Sequence, residues 1–184
     1  MGKTKFSNPP NQSKGILDDH AVRKSLATQE FAGSPVFVHG GLPFGEIWVQ
    51  GNATPDTIAT ATLAQVTRFA NNGESNNTTP DHSQDHITII KKGKYLVTIS
   101  LAFKGDASVE WDFRLGINNG SGFCLNVHTD RKLGAGGDVG SASLSGICDF
   151  AVGDTIELWM KHEAGVNKSI TVEDCTMSLV QIGG

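Results

Sequence analysis

From Glu46 onward the chain alternates apolar and polar residues with period two, the pattern of strands that bury one face and wet the other. "KYLVTISLAFKG" is the clearest run: Tyr95, Val97, Ile99, Leu101 and Phe103 share one face, while Thr98 and Ser100 point the other way. "VEWDFRLGINNG" repeats it, with Val109, Trp111, Phe113, Leu115 and Ile117 inward, Glu110, Asp112 and Arg114 outward, and an Asn-Gly turn at its end. Leu144, Cys148 and Phe150 form the next inward set; after a turn at Gly153-Asp154, Ile156, Leu158 and Met160 form another. "EIWVQG", "HITII" and "GFCLNVHT" read as further strands, and the Thr/Asn-rich stretch after Asn52 as short strands with an exposed loop. The terminal "SITVEDCTMSLVQIGG" is apolar on both faces near its end, through Met177, Leu179, Val180 and Ile182. Such a strand belongs in the middle of a sheet or against a partner. Roughly eight to ten short strands of this kind predict an all-β, two-sheet sandwich, with a jelly roll as the leading topology.

Residues 1–44 have a different texture and are predicted to form an N-terminal arm, with the jelly-roll domain over 45–184. "KFSNPPNQSKG" is a Pro/Asn/Ser segment that buries little and reads as extended. "LDDHAVRKSLATQEFAGSP" has acids at its start, Leu17, Ala21, Val22 and Leu26 at helical spacing, and Gly33 and Pro35 as stops, which predicts one short helix. Phe6, Ile16, Leu17, Leu26, Phe31 and Phe37 are the apolar anchors such an arm offers to another surface.

At 184 residues the chain has enough length to bury a core without staples. Charge narrows the partners. Residues 1–40 hold five Lys/Arg against three carboxylates, a net +2, and the remainder carries −6 of the total −4. That basic excess is too small to suggest nucleic-acid binding. The first residues lack the apolar core of a secretory signal and no window reaches the length of a membrane-spanning helix, so synthesis in a cytosol and no membrane partner are expected. Cys124, Cys148 and Cys175 are odd in number and lack CxxC spacing, which argues against a disulfide framework or a zinc site. Cys148 and Cys175 read as small buried hydrophobes.

Catalytic motifs are weak. "PDHSQDH" gathers Asp81, His82, Asp85 and His86, a candidate metal cluster whose alternative is a polar loop with a turn-capping Asp. Nothing fixes the separation of Asp81 and Asp85 that a glycosidase pair requires. "GSASLSG" lacks the Gly-x-Ser-x-Gly spacing and the strand-to-helix setting of a nucleophile elbow. "KLGAGGDVG" lacks the Gly-Lys-Ser/Thr ending of a phosphate loop. Neither an enzyme nor a cofactor is expected. Trp159 lies between inward Leu158 and Met160 and so faces outward, where an uncovered Trp is costly; with Trp48 it is a candidate for a subunit interface, packing under a loop being the other reading.

"GKYLVTISLAF" resembles the Gly-x-Tyr-x-(apolar)-x-(apolar) strand of the C1q/tumour-necrosis-factor-like jelly rolls, carried by Gly93, Tyr95, Val97 and Ile99. "RLGINNG", the "SLSGICDFAVGDTIELWM" pair and the terminal "MSLVQI" follow in the order that family uses, over about residues 45–184. The chain departs from the vertebrate members in ending "LVQIGG" rather than in an aromatic-rich strand, and in lacking a collagen-like stalk and a secretion signal. It is more similar to bacteriophage virion proteins of such folds. The resemblance implies a homotrimer on the exterior of a virion, a capsid decoration protein fastened by its arm to the major capsid protein or another virion protein. The alternative it leaves open is the head of a tail or head fibre that binds host glycans through loops at about 71–86 and 130–140.

Overall fold

A computed structural model of the chain describes residues 41–134 and 138–184. The arm anchors Phe6, Ile16, Leu17, Leu26, Phe31 and Phe37, and the helix predicted between them, lie outside the described residues, as do residues 135–137 of the glycine-rich loop.

Twelve strands, and no helix, occur among the described residues: β1 (Phe44–Val49), β2 (Asp56–Ile58), β3 (Ala64–Gln65), β4 (Asn71–Asn72), β5 (Thr78–Asp81), β6 (His86–Ile89), β7 (Gly93–Gly105), β8 (Glu110–Ile117), β9 (Gly122–Lys132), β10 (Val139–Phe150), β11 (Thr155–His162) and β12 (Lys168–Gly183). They form two antiparallel sheets. The first runs β10-β7-β12-β1-β4, with β2 on β12; the second runs β5-β6-β11-β8-β9, with β3 on β11. From β6 to β7, and at each step from β9 to β12, the chain crosses from one sheet to the other, the winding of a jelly roll. The count exceeds the predicted eight to ten because the Thr/Asn-rich stretch supplies β2 to β5, four strands of two to four residues.

The alternation read from the sequence is the alternation of burial. Tyr95, Val97, Ile99, Leu101 and Phe103 of β7 all face inward, as do Trp111, Phe113 and Leu115 of β8 and Ile156, Leu158 and Met160 of β11. Each large side chain so buried contributes about 1.5–3 kcal/mol. The sheets interlock where Phe103 meets Phe113 edge-on, ring centroids 4.9 Å apart. Central β12 pairs with β7 on one side and β1 on the other. Its Met177 and Leu179 are buried, but Ile182 is half exposed on the far side.

The two sheets meet along both sides of the sandwich. On one side Phe44 and Asn76 exchange backbone hydrogen bonds, and the Thr78 hydroxyl donates to the Phe44 carbonyl. Gly45 permits this approach, since a Cβ there would overlap Thr78 and press on Ile87. On the other side, edge strand β9 of one sheet lies against edge strand β10 of the other, and Cys124 is disulfide-bonded to Cys148 with Cα atoms 6.2 Å apart. This corrects the expectation from cysteine number and spacing: a separation of 24 residues carries no hint that two edge strands of opposite sheets come side by side. Cys148 is buried as predicted, but as half of a covalent bridge. Cys175 is free and buried, and burial pushes its thiol pKa up to about 12.

Candidate functional site

The outer face of the first sheet can be read row by row from the strand register. One row, from β10 to β1, is Ile147, Leu96, Val180 and Phe44. The next is Ser145, Thr98, Ser178 and Glu46, and the third is Ser143, Ser100, Thr176 and Trp48. Among these twelve positions Glu46 is the one charge. The first row leaves Ile147 51% exposed, Phe44 38% and Leu96 36%, side by side on the surface. An antiparallel sheet that faces water commonly places charged residues there. These three rows do not carry a charged surface: two are largely Ser and Thr and one is apolar.

The outer face of the second sheet does. Glu110, Asp112 and Arg114 of β8 register against Lys132, Asp130 and His128 of β9, and Lys161 of β11 lies opposite Asp112. Arg114 forms an ion pair with Asp112 and extends over the Phe123 ring, 5.8 Å from its centroid.

Trp159 lies on this second face and is covered from within the chain. Its ring fits over Gly116 and Gly120, and Phe123 meets it edge-on at 6.4 Å. Its indole N–H donates to Glu157, whose fully buried carboxylate also accepts from the Thr155 hydroxyl and the Asn119 backbone N–H. The structure thus gives Trp159 the packed-under-a-turn arrangement. Glu157 was not singled out in the sequence; its signal was an acid on the same strand face as an outward Trp, opposite an Asn-Asn-Gly turn. Trp48, by contrast, is half-buried on the neutral first sheet.

The "PDHSQDH" cluster is not brought together around a common point. Asp81 accepts from the Ser83 hydroxyl, chiefly through which its pKa is lowered, and from the Ser83 N–H. His82 contacts the Asn72 side chain through Nδ1. Asp85 turns inward, accepts the Phe69 N–H at 3.0 Å and has its pKa raised, principally by burial. His86 begins β6, opposite Asp81. Among the described residues no group of three or more His, Cys, Asp or Glu is placed to hold a metal. The stretch 71–86, read as a loop, contains β4 and β5; residues 130–140 end β9 and begin β10.

No known family model matches the chain, and no curated protein matches it. Solved structures do. The Eiger TNF of S. frugiperda is similar with a TM-score of 0.55 and 15% identity, over 77% of this chain and 94% of that one. Murine APRIL at pH 5.0 is similar with a TM-score of 0.51 and 14% identity, over 77% and 99%. The architecture is therefore that of the TNF-like jelly rolls, in agreement with the resemblance carried by Gly93, Tyr95, Val97 and Ile99.

Proposed function

We propose that the chain is a homotrimeric jelly-roll head of a phage virion structural protein, held on the capsid exterior by its N-terminal arm. Its work is the burial of intersubunit area, not catalysis. The observation that carries the trimer is the charge-poor centre of the outer face of the β10-β7-β12-β1 sheet, with its apolar row of Ile147, Leu96, Val180 and Phe44, of which Ile147, Leu96 and Phe44 are exposed. Three copies that turn this face inward leave the charged β8-β9-β11 face outward, and closed threefold symmetry suits decoration of a capsid at a local threefold position. The Cys124–Cys148 bridge supports an exterior position, because disulfides persist in oxidising surroundings. Capsid protein is the partner assigned to the arm; nucleic acid and membrane are not among the partners.

Light scattering on the full chain at low micromolar concentration tests the trimer, with an expected mass three times 19.5 kDa. Leu96→Glu combined with Ile147→Glu places six charges at the proposed seam and is expected to give folded monomers. A monomeric wild type removes the threefold reading. Capsid attachment is tested by co-sedimentation with undecorated particles, where loss of residues 1–40, which keeps Phe44 in β1, is expected to abolish binding while the trimer mass per head is kept.

A further inference from the structure

We propose that Asn119, in the turn between β8 and β9, is a site of spontaneous deamidation through a cyclic imide, and that the fold protects the other Asn-Gly pair of the chain, Asn72-Gly73, from the same reaction. The chemistry needs no partner but water. The backbone nitrogen of Gly120 attacks the side-chain carbonyl carbon of Asn119, the C–N bond of the amide breaks, and its nitrogen leaves as ammonia with the proton lost from the Gly120 N–H. Water then opens the five-membered imide at either carbonyl, leaving aspartate or isoaspartate at position 119. A following glycine has no side chain to obstruct the attack, so in an unfolded chain both pairs react alike. The folded chain separates them.

At Asn72 both reacting groups are engaged. The Gly73 N–H donates to the Glu46 carbonyl at 2.8 Å, and Asn72 Oδ1 accepts the His82 N–H at 2.7 Å and meets His82 Nδ1 at 3.1 Å. Asn118, beside the reactive position, is likewise tied: its amide donates to Asp154 Oδ1 at 2.9 Å and accepts the Thr155 N–H at 3.0 Å. Asn119 is exposed, and neither its side-chain amide nor the Gly120 N–H makes a hydrogen bond among the described residues. The bond that closes this turn, from the Ser121 N–H to the Asn118 carbonyl, is long at 3.3 Å, so the turn opens at little cost to bring amide and nitrogen together. The neighbours decide what conversion does. The Asn119 N–H donates at 3.0 Å to Glu157, the buried carboxylate that also holds the Trp159 indole, and a Cβ on Gly120 would come within 3.0 Å of that ring. A new carboxylate on the residue bonded to Glu157 adds like-charge repulsion, and isoaspartate lengthens the main chain by a methylene group in the turn that seats the ring.

The test is incubation of the full chain at mildly alkaline pH, folded and in parallel in concentrated guanidinium chloride, followed by peptide mapping by mass spectrometry with isoaspartate counted by enzymatic methyl transfer. In the folded chain position 119 is expected to convert at least about tenfold faster than position 72, because Asn72 must first give up its hydrogen bonds. In guanidinium the two are expected to convert at similar rates. Aged wild type is expected to unfold at a lower urea concentration than fresh protein, compared at one protein concentration. Aged Asn119→Gly, which keeps the left-handed backbone at φ 56° and lacks the amide, is expected to match its own fresh sample. Asn119→Gln is the second block if the glycine variant fails to fold. Equal rates at 119 and 72 in the folded chain, or no conversion at 119 until the chain is unfolded, overturn the site. Conversion at 119 with an unchanged unfolding midpoint keeps the site and overturns its effect on the Trp159 seat.

Discussion

Replacing Cys124 and Cys148 together with Ala isolates what the bridge contributes. The bond closes a loop of 24 residues. In the chain-entropy account, tying such a loop in the unfolded state stabilises the fold by about 3.5 kcal/mol at 25 °C, within the usual span of about 2–4 kcal/mol. Loss of the buried Cys148 sulfur adds a smaller packing cost. For a chain of this length each kcal/mol moves the melting temperature by roughly 2–4 °C, so a drop of about 7–14 °C is expected. Differential scanning calorimetry of wild type and double variant, with and without reductant and at one fixed protein concentration, reads it directly. Reductant is expected to lower the wild type most of the way to the variant, the remaining gap being the packing cost of the lost sulfur, and to leave the variant unchanged. Equal melting of all four samples would refute the reasoning: the bridge would then be absent or would constrain nothing.

Thiol counting offers a separate check: native protein is expected to react with none of its three cysteines, unfolded protein with one, and reduced unfolded protein with all three. Gly116→Ala is expected to destabilise by about 1–3 kcal/mol in urea unfolding, because the added Cβ overlaps the Trp159 ring; wild-type stability would show that the ring moves aside freely. Asp85→Asn retains the acceptor for the Phe69 N–H and the left-handed backbone at φ 56°. Because burial raises the Asp85 pKa above 3.8, the folded state binds more protons than the unfolded one, and stability is lost as pH rises through the raised value. The variant is therefore expected to gain on wild type at pH 7 and to lose that gain below 3.8, whereas a pH-independent difference would contradict the assignment.

The long strands were legible because each carries a two-residue period that burial enforces: an inward Val97 or Phe113 has no alternative face. Trp159 was legible as outward, but not as covered, because its cover comes from Gly116 and Gly120, whose absent side chains mean nothing until β8 is placed beside β11. Cys148 was legible as buried, but not as bonded, because only the winding brings β9 alongside β10. The neutral face was hidden for a similar reason. Serines at 141, 143 and 145, at 100 and at 178 look like ordinary polar positions until the register stacks them into one surface poor in charge. Asp81, His82, Asp85 and His86 were adjacent in sequence and were dispersed by the turn that Asp85 enters with positive φ.

The sandwich is joined differently along its two sides, and it behaves like a book with a spine and a clasp. The spine is the Phe44–Asn76 pairing and the close seat at Gly45, which stays shut whatever the redox state of the medium. The clasp is a single covalent bond between edge strands. Opening it frees one margin only, so amide exchange on reduction should rise along β9 and β10 and remain slow along β1 and β6. Under reducing conditions the sandwich is then expected to keep its strand order with one margin unlatched, and oxidation to fasten that margin without a change of fold.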